Sequence, residues 1–271
     1  MTKASIGIFD SGFGGLTVMN AVKNLLPYEN IIYFGDTANL PYGNKSAEAI
    51  SGYCLKNTEF LLSLGIKLLI IACHTACAST FEQLEKISPI PVIGVISPSI
   101  ALIKEHAKTG KIALLGTRRT IHSQVYQNLI ASCIPHADVT SIACPLFVPI
   151  VEEGYADHPI AESLVREYLK PLQNKQIEAL LLACTHYPLL QKFIQKEMPS
   201  STILIDPSIE CARQAQKILL LRNLLNRTLE EPTYTFYVSD DPEKFRLFGK
   251  NFFPHPMKQV ISTQFSLLEK A

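Results

Sequence analysis

Short uninterrupted apolar runs recur along the chain, each closed by Gly, Asp, Cys or Pro and separated by segments with helical spacing. Runs of this kind are strands buried on both faces, and a sheet buried on both faces is a parallel sheet whose strands are joined by crossover helices. The pattern predicts strands over residues 5–9, 31–34, 68–72, 92–95, 112–115, 139–142, 179–183, 203–205 and 234–238. It predicts helices over 16–25, 47–64, 120–131, 160–169, 189–197 and 210–226. The fold class is therefore α/β.

Two of the runs echo each other. Lys67-Leu68-Leu69-Ile70-Ile71-Ala72-Cys73-His74-Thr75 is answered by Glu178-Ala179-Leu180-Leu181-Leu182-Ala183-Cys184-Thr185-His186. Both are apolar strands ending in Ala-Cys, followed by Thr and His in one order or the other. Ligands of open α/β sheets bind at the carboxyl edge of the strands, which places both thiols on the ligand side of their sheets. The expected architecture is two similar, mainly parallel-sheet domains facing across a cleft. The chain changes character around residues 89–98 and again around 206–207. The expected division is a discontinuous first domain, residues 1–95 plus 208–271, with a second domain, 96–207, inserted in it.

A thiol at a strand-to-helix turn receives backbone N–H groups and the positive end of the helix dipole, which favour its thiolate. One such thiol suggests a nucleophile. Two in matched positions on facing halves suggest an acid on one face of a carbon and a base on the other, the geometry of proton-transfer racemisation or epimerisation.

Other readings of the cysteines are weaker. Cys73 and Cys77 form a C-x₃-C with one His and no second pair at finger spacing, so no metal is expected. The seven cysteines are odd in number and contain no C-x-x-C, which predicts free thiols. Cys54, Cys77, Cys133, Cys144 and Cys211 read as small core residues.

The first predicted strand runs into Asp10-Ser11-Gly12-Phe13-Gly14-Gly15, a turn suited to holding an anion on backbone N–H groups. Its glycine spacing is neither a dinucleotide fingerprint nor a P-loop. Residues 35–43 form a second Pro- and Gly-punctuated turn.

Charge limits the partners. Lys plus Arg number 25 and Asp plus Glu 24, so no global field draws the chain to nucleic acid or to an anionic membrane. The apolar stretch 87–103 is interrupted by Pro89, Pro91 and Pro98 and does not read as a spanning helix. The start of the chain carries no signal-like apolar region, which predicts a cytoplasmic location. A small-molecule ligand is the expected partner, and an isologous homodimer the default assembly for a soluble enzyme.

The motifs Ile8-Phe9-Asp10-Ser11-Gly12-Phe13-Gly14-Gly15-Leu16, Tyr33-Phe34-Gly35-Asp36 with Pro41-Tyr42-Gly43, Ala72-Cys73-x-Thr75-Ala76, Val148-Pro149-x-Val151-Glu152-Glu153-Gly154 and Cys184-Thr185-His186-Tyr187-Pro188 occur in family order. With them the chain resembles the cofactor-independent glutamate racemases of the aspartate/glutamate racemase superfamily, from near residue 5 to about residue 260. The resemblance implies interconversion of L- and D-glutamate without a cofactor, supplying D-glutamate for peptidoglycan synthesis. It implies Cys73 and Cys184 as the two acid/bases, assisted by Asp10 and His186 respectively. Ser11, Tyr42, Gly43, Thr75 and Thr185 are implied to bind the amino acid's polar groups, with Thr117, Thr120 and Glu152 as further members of the site.

One position departs from the pattern, since the family usually carries Asn after the first cysteine and this chain has His74. Three consequences are open: His74 binds glutamate, lowers the Cys73 pKa if charged, or shifts substrate preference. The competing functions are a two-thiol racemase acting on aspartate or another amino acid, and a weakly active racemase-like binding protein.

Overall fold

The computed structural model describes residues 2–228 and 230–263. Their elements run β1 (Ile6–Asp10), α1 (Leu16–Leu25), β2 (Ile31–Gly35), α2 (Ala47–Ser63), β3 (Leu68–Ile71), α3 (His74–Ile87), β4 (Val92–Gly94), α4 (Ile96–His106), β5 (Lys111–Gly116), α5 (Arg118–His122), α6 (Val125–Cys133), β6 (Asp138–Ala143), α7 (Phe147–Glu152), α8 (Pro159–Leu169), β7 (Ala179–Ala183), α9 (Gln191–Glu197), β8 (Ile203–Ile205), α10 (Ser208–Leu221), β9 (Tyr234–Val238), α11 (Pro242–Gly249) and β10 (Gln259–Ser262).

The strands form two sheets, ordered β10-β9-β2-β1-β3-β4 and β6-β5-β7-β8, and every pairing is parallel. Central strands β1, β3 and β7 are buried at every residue, as their unbroken apolar sequences require. The chain returns to the first sheet after the second is complete. Strand β9 pairs with β2, from Ile31 opposite Tyr234 to Gly35 opposite Val238. The returning segment is locked by aromatic packing, with Phe13 stacked on Phe245 at 5.6 Å and Phe236 set between Tyr33 and Phe253.

A buried ion pair ties the far end of this layer together. Lys67 Nζ lies 2.6 Å from Glu29 and also donates to the carbonyls of Thr2 and Leu224, while Glu29 accepts from the Asn226 backbone N–H. Removing one partner of such a pair leaves an uncompensated buried charge, at a cost of about 3–5 kcal/mol.

The helical reading needs correction in several places. The helix predicted over 120–131 is split by Gln124, whose φ of 58° places it in the left-handed region. The helix predicted to reach residue 226 ends at Leu221, where Asn223 takes φ 54° and the Leu224 N–H closes back on the Leu219 carbonyl. Helix α4 occupies part of the proline-rich stretch, because Pro98 sits in its first turn, where no intrahelical N–H is needed. Strand β10 is an edge strand buried only at Val260, too short and too polar to show an apolar period.

Candidate active site

In each sheet the second strand is added on one side of the first and the third on the other, and a crevice opens at the carboxyl ends of the strands that diverge there. In the first sheet β1 is flanked by β2 and β3, so the crevice lies beyond Asp10 and Cys73. In the second, β5 is flanked by β6 and β7, and the crevice lies beyond Gly116 and Ala183, hence beside Thr117 and Cys184. The two crevices face each other and make one pocket. It is lined by Ser11, Pro41, Gly43, Cys73, His74, Thr75, Thr117, Val148, Glu152, Cys184, Thr185 and His186, with Tyr42 at its edge. The free cavity measures about 20 Å³, on the scale of a single water.

Cys73 caps α3, and its sulfur receives the Ala76 N–H at 3.5 Å and lies 3.7 Å from the Ser11 hydroxyl. The cap does not make it a resting thiolate. Burial, reinforced by the nearby Asp10 carboxyl, outweighs those two hydrogen bonds and pushes the Cys73 thiol up to about 12. The expectation that the helix end alone favours the thiolate is therefore corrected.

Asp10 is fully buried behind this sulfur, outside the pocket wall. It accepts from the Gly12 N–H at 2.9 Å and from the Thr185 hydroxyl at 3.4 Å. Burial raises its pKa, opposed by the His186 charge and by the Gly12 and Gly15 N–H groups.

Cys184 is built differently, despite the sequence echo. No long helix follows it; the chain passes through a turn and a 3₁₀ segment, Tyr187–Leu190, before the seven-residue α9. Positive charge comes from a side chain instead. His186 Nδ1 lies 3.7 Å from the Cys184 sulfur, and Nε2 lies 2.9 Å from the Glu152 carboxylate. Burial works to lower the His186 pKa, but its hydrogen bonds to Cys184 and Glu152, and their charge, hold it well above the usual imidazole value. Two glycines admit this arrangement. A Cβ on Gly14 would lie 2.2 Å from the Thr185 hydroxyl and 2.6 Å from His186 Nδ1, and one on Gly15 would lie 2.5 Å from the Asp10 Cβ.

Most residues singled out in the sequence meet here, with differences of role. Thr120 does not line the pocket: it is fully buried, with its hydroxyl 3.1 Å from that of Thr75 and 3.0 Å from that of Thr117. Thr75 and Thr117 are themselves 2.9 Å apart, so a triangle of hydroxyls bridges the two layers and Thr120 is its support.

The Tyr42 hydroxyl points away, donating to Asp36 while accepting from Asn57. Glu152 is a pocket residue whose carboxylate is already engaged by His186. His74 is neutral, since burial lowers its pKa to about 3, which removes the reading in which its charge activates Cys73. Pro41 and Val148 are wall residues that sequence reasoning left out of the site, although both stand inside the quoted motifs. Among the described residues, no cluster of three or more His, Cys, Asp or Glu is arranged to hold a metal ion.

Two thiols from facing sheets, one backed by a buried carboxyl and the other by a carboxylate-held imidazole, are found with known relatives of the whole chain. A glutamate racemase of Syntrophus aciditrophicus is 41% identical over 259 residues, covering 96% of each chain. One of Chlorobaculum tepidum is 44% identical over 242 residues, 89% of each. The crystal structure of a Francisella tularensis glutamate racemase in complex with D-glutamate superposes with a TM-score of 0.93 at 37% identity, covering 98% of this chain and all of that one. A sequence profile of Asp/Glu/Hydantoin racemases matches residues 15–215, and with relatives of this similarity along its length the chain belongs to the Asp/Glu racemase family.

Proposed function

We propose that this protein is a glutamate racemase that moves the Cα proton between Cys73 and Cys184. The observation that carries the reading is the pairing of the two sulfurs, one from each sheet, in a single pocket. In one direction the Cys73 thiolate takes the Cα proton and becomes a thiol, while the Cys184 thiol gives its proton to the opposite face of the carbon and becomes a thiolate. The reverse direction exchanges the roles, and no atom is gained or lost.

The Cα–H of an amino acid is weakly acidic, so the intermediate carbanion needs its charge spread into a hydrogen-bonded carboxylate. No Lys or Arg among the described residues lines the pocket. Donors are hydroxyls (Ser11, Thr75, Thr117) and backbone N–H groups of the loop at Tyr42 and Gly43, while the His186 cation, its two N–H groups directed at Cys184 and Glu152, contributes its charge. When Cys184 is deprotonated, the His186 cation held by Glu152 lies against the new charge. Asp10 stands in the corresponding place behind Cys73. The Cys73 thiol is costly to ionise in the closed pocket, and a deprotonated sulfur there is correspondingly basic once formed.

The cavity between the sulfurs is far smaller than an amino acid, so the two layers part to admit substrate and close to exclude water. We take residues 1–95 plus 208–271 and 96–207 as the bodies that move, a division supported by the membership of the two sheets. Residues 264–271 lie outside the described part of the first body.

Among the described residues no lysine lines the pocket where a Schiff base would form, which supports a reaction without cofactor. No helix among the described residues is long and apolar enough to cross a membrane. We place the enzyme in the cytoplasm, as a homodimer, providing D-glutamate for peptidoglycan synthesis. Incubation with L- or D-glutamate in the absence of pyridoxal phosphate tests the activity: the optical signal decays to zero from either enantiomer. An enzyme that racemises aspartate in preference to glutamate overturns the substrate assignment.

A further inference from the structure

His74, the first residue of α3, ends a chain of hydrogen bonds that runs out of the pocket into the packing of three helices. Its Nδ1 lies 2.7 Å from the Tyr126 hydroxyl on α6. Tyr126 lies 3.3 Å from the Ser99 hydroxyl on α4, and Ser99 donates to the Val95 carbonyl at 2.7 Å. His74, Ser99 and Tyr126 are all buried.

With Ser99 donating to Val95, counting protons gives the chain one direction. A carbonyl only accepts, so the single hydroxyl proton of Ser99 goes to Val95. Ser99 then accepts from Tyr126, whose one proton is thereby used, and the Tyr126 oxygen accepts from His74. The imidazole is neutral and carries one proton, so that proton is on Nδ1 and Nε2 is a bare acceptor. No hydrogen bond to Nε2 is found among the described residues, and Nε2 is not among the sealed polar atoms that lack a partner. His74 is a wall residue, which leaves the pocket as the place where a ligand can meet that lone pair.

At neutral pH the two carboxylates of glutamate only accept hydrogen bonds, and its ammonium is its one donor group. We propose that Tyr126 is a positioning residue that holds His74 as the Nδ1–H tautomer, and that His74 Nε2 receives a hydrogen bond from the substrate α-ammonium. This rests on the placement of substrate between Cys73 and Cys184. Asn at this position offers an oxygen and an amide, whereas His74 so held offers an acceptor alone. The site thereby gains selectivity for ligands with a donor on Cα.

The test uses the full chain labelled with ¹⁵N and long-range ¹H–¹⁵N correlation of the imidazoles, the His74 signals being assigned by their loss in His74→Asn. The expected spectrum shows Nδ1 protonated and Nε2 bare. Nε2 should move on saturation with L-glutamate and stay unmoved with glutarate, which lacks the amine. Tyr126→Phe should lose the single-tautomer signature and raise KM for glutamate about 5–10-fold with a smaller change in kcat, the scale of one hydrogen bond. In a His74→Asn background, Tyr126→Phe should leave KM as in His74→Asn alone.

An Nε2–H tautomer in the native protein overturns the proposal, as does an equal response to glutamate and glutarate or a Tyr126→Phe effect on KM that persists without His74. The spectrum needs no turnover. A protein that shows the expected tautomer and amine-dependent shift but does not racemise glutamate supports this inference and overturns the racemase reading.

Discussion

Gly14→Ala places a single methyl group where the two layers meet. Its carbon would lie 2.2 Å from the Thr185 hydroxyl, 2.6 Å from His186 Nδ1 and 2.7 Å from His186 Cε1. Ordinary contact lies well beyond 3 Å, so Thr185 and His186 must retreat by about 1 Å. Neither is free to do so without loss. Thr185 is hydrogen-bonded to Asp10, and His186 is held 2.9 Å from Glu152 and 3.7 Å from Cys184. Overpacking of this kind costs about 1–3 kcal/mol of stability. A displacement of about 1 Å in a reacting group costs on the order of 100-fold in rate, or ~2.7 kcal/mol of barrier.

The assay is racemisation of L- and D-glutamate followed by circular dichroism, beside a thermal melt. The expected result is a kcat lowered about 100-fold in a protein that still melts cooperatively. Gly52→Ala is the control: it lies within α2, its Cβ meets nothing within 4 Å, and it should stabilise by about 0.5–1 kcal/mol with activity unaltered. Wild-type kcat in Gly14→Ala would refute the claim that the His186 side of the site is set by close approach of the first layer.

Three other outcomes follow from the same geometry. Glu152→Gln removes the charge that helps to raise the His186 pKa, so the alkaline limb of kcat/KM moves to lower pH; an unmoved limb would count against the imidazolium. Because the folded pKa is the raised one, the stabilisation from His186 is complete below the unfolded value of about 6.5 and is lost as pH rises through the folded value. The melting difference between wild type and Glu152→Gln should therefore shrink in alkali. Asp36→Asn weakens the acceptor shared by Tyr42, Asn39 and Ser239; it should cost about 2–3 kcal/mol of stability and raise KM through the 35–43 loop, whereas an unchanged melt would deny the loop its anchor. Iodoacetamide at pH 8, read by peptide mass spectrometry, should label exposed Cys133 first. Cys54, Cys77 and Cys211, buried with raised pKa values, should wait for denaturant; early labelling of Cys77 would contradict its burial.

The strands were legible because burial on both faces leaves its mark on every residue, as in Leu68–Ile71 and Ala179–Ala183. Helix α3 was not, since its first turns, His74-Thr75-Ala76-Cys77, are small or polar residues buried against neighbouring layers rather than an apolar stripe. The echo of Ala-Cys with Thr and His led to both sulfurs, but it hid how differently they are served. Cys73 caps a helix, whereas Cys184 leans on a histidine whose partner, Glu152, comes from another element. Contacts of that kind depend on how two sheets face each other. The same holds for Thr120, which the resemblance implies as a member of the site and which stands behind it, its hydroxyl against those of Thr75 and Thr117.

The two-thiol account is tested most directly by following Cα deuterium incorporation and optical activity together, with L-glutamate and with D-glutamate in D₂O and no pyridoxal phosphate. The account predicts incorporation coupled to loss of optical activity from either enantiomer, with racemisation abolished in both Cys73→Ser and Cys184→Ser. Undiminished racemisation in either single variant would contradict it.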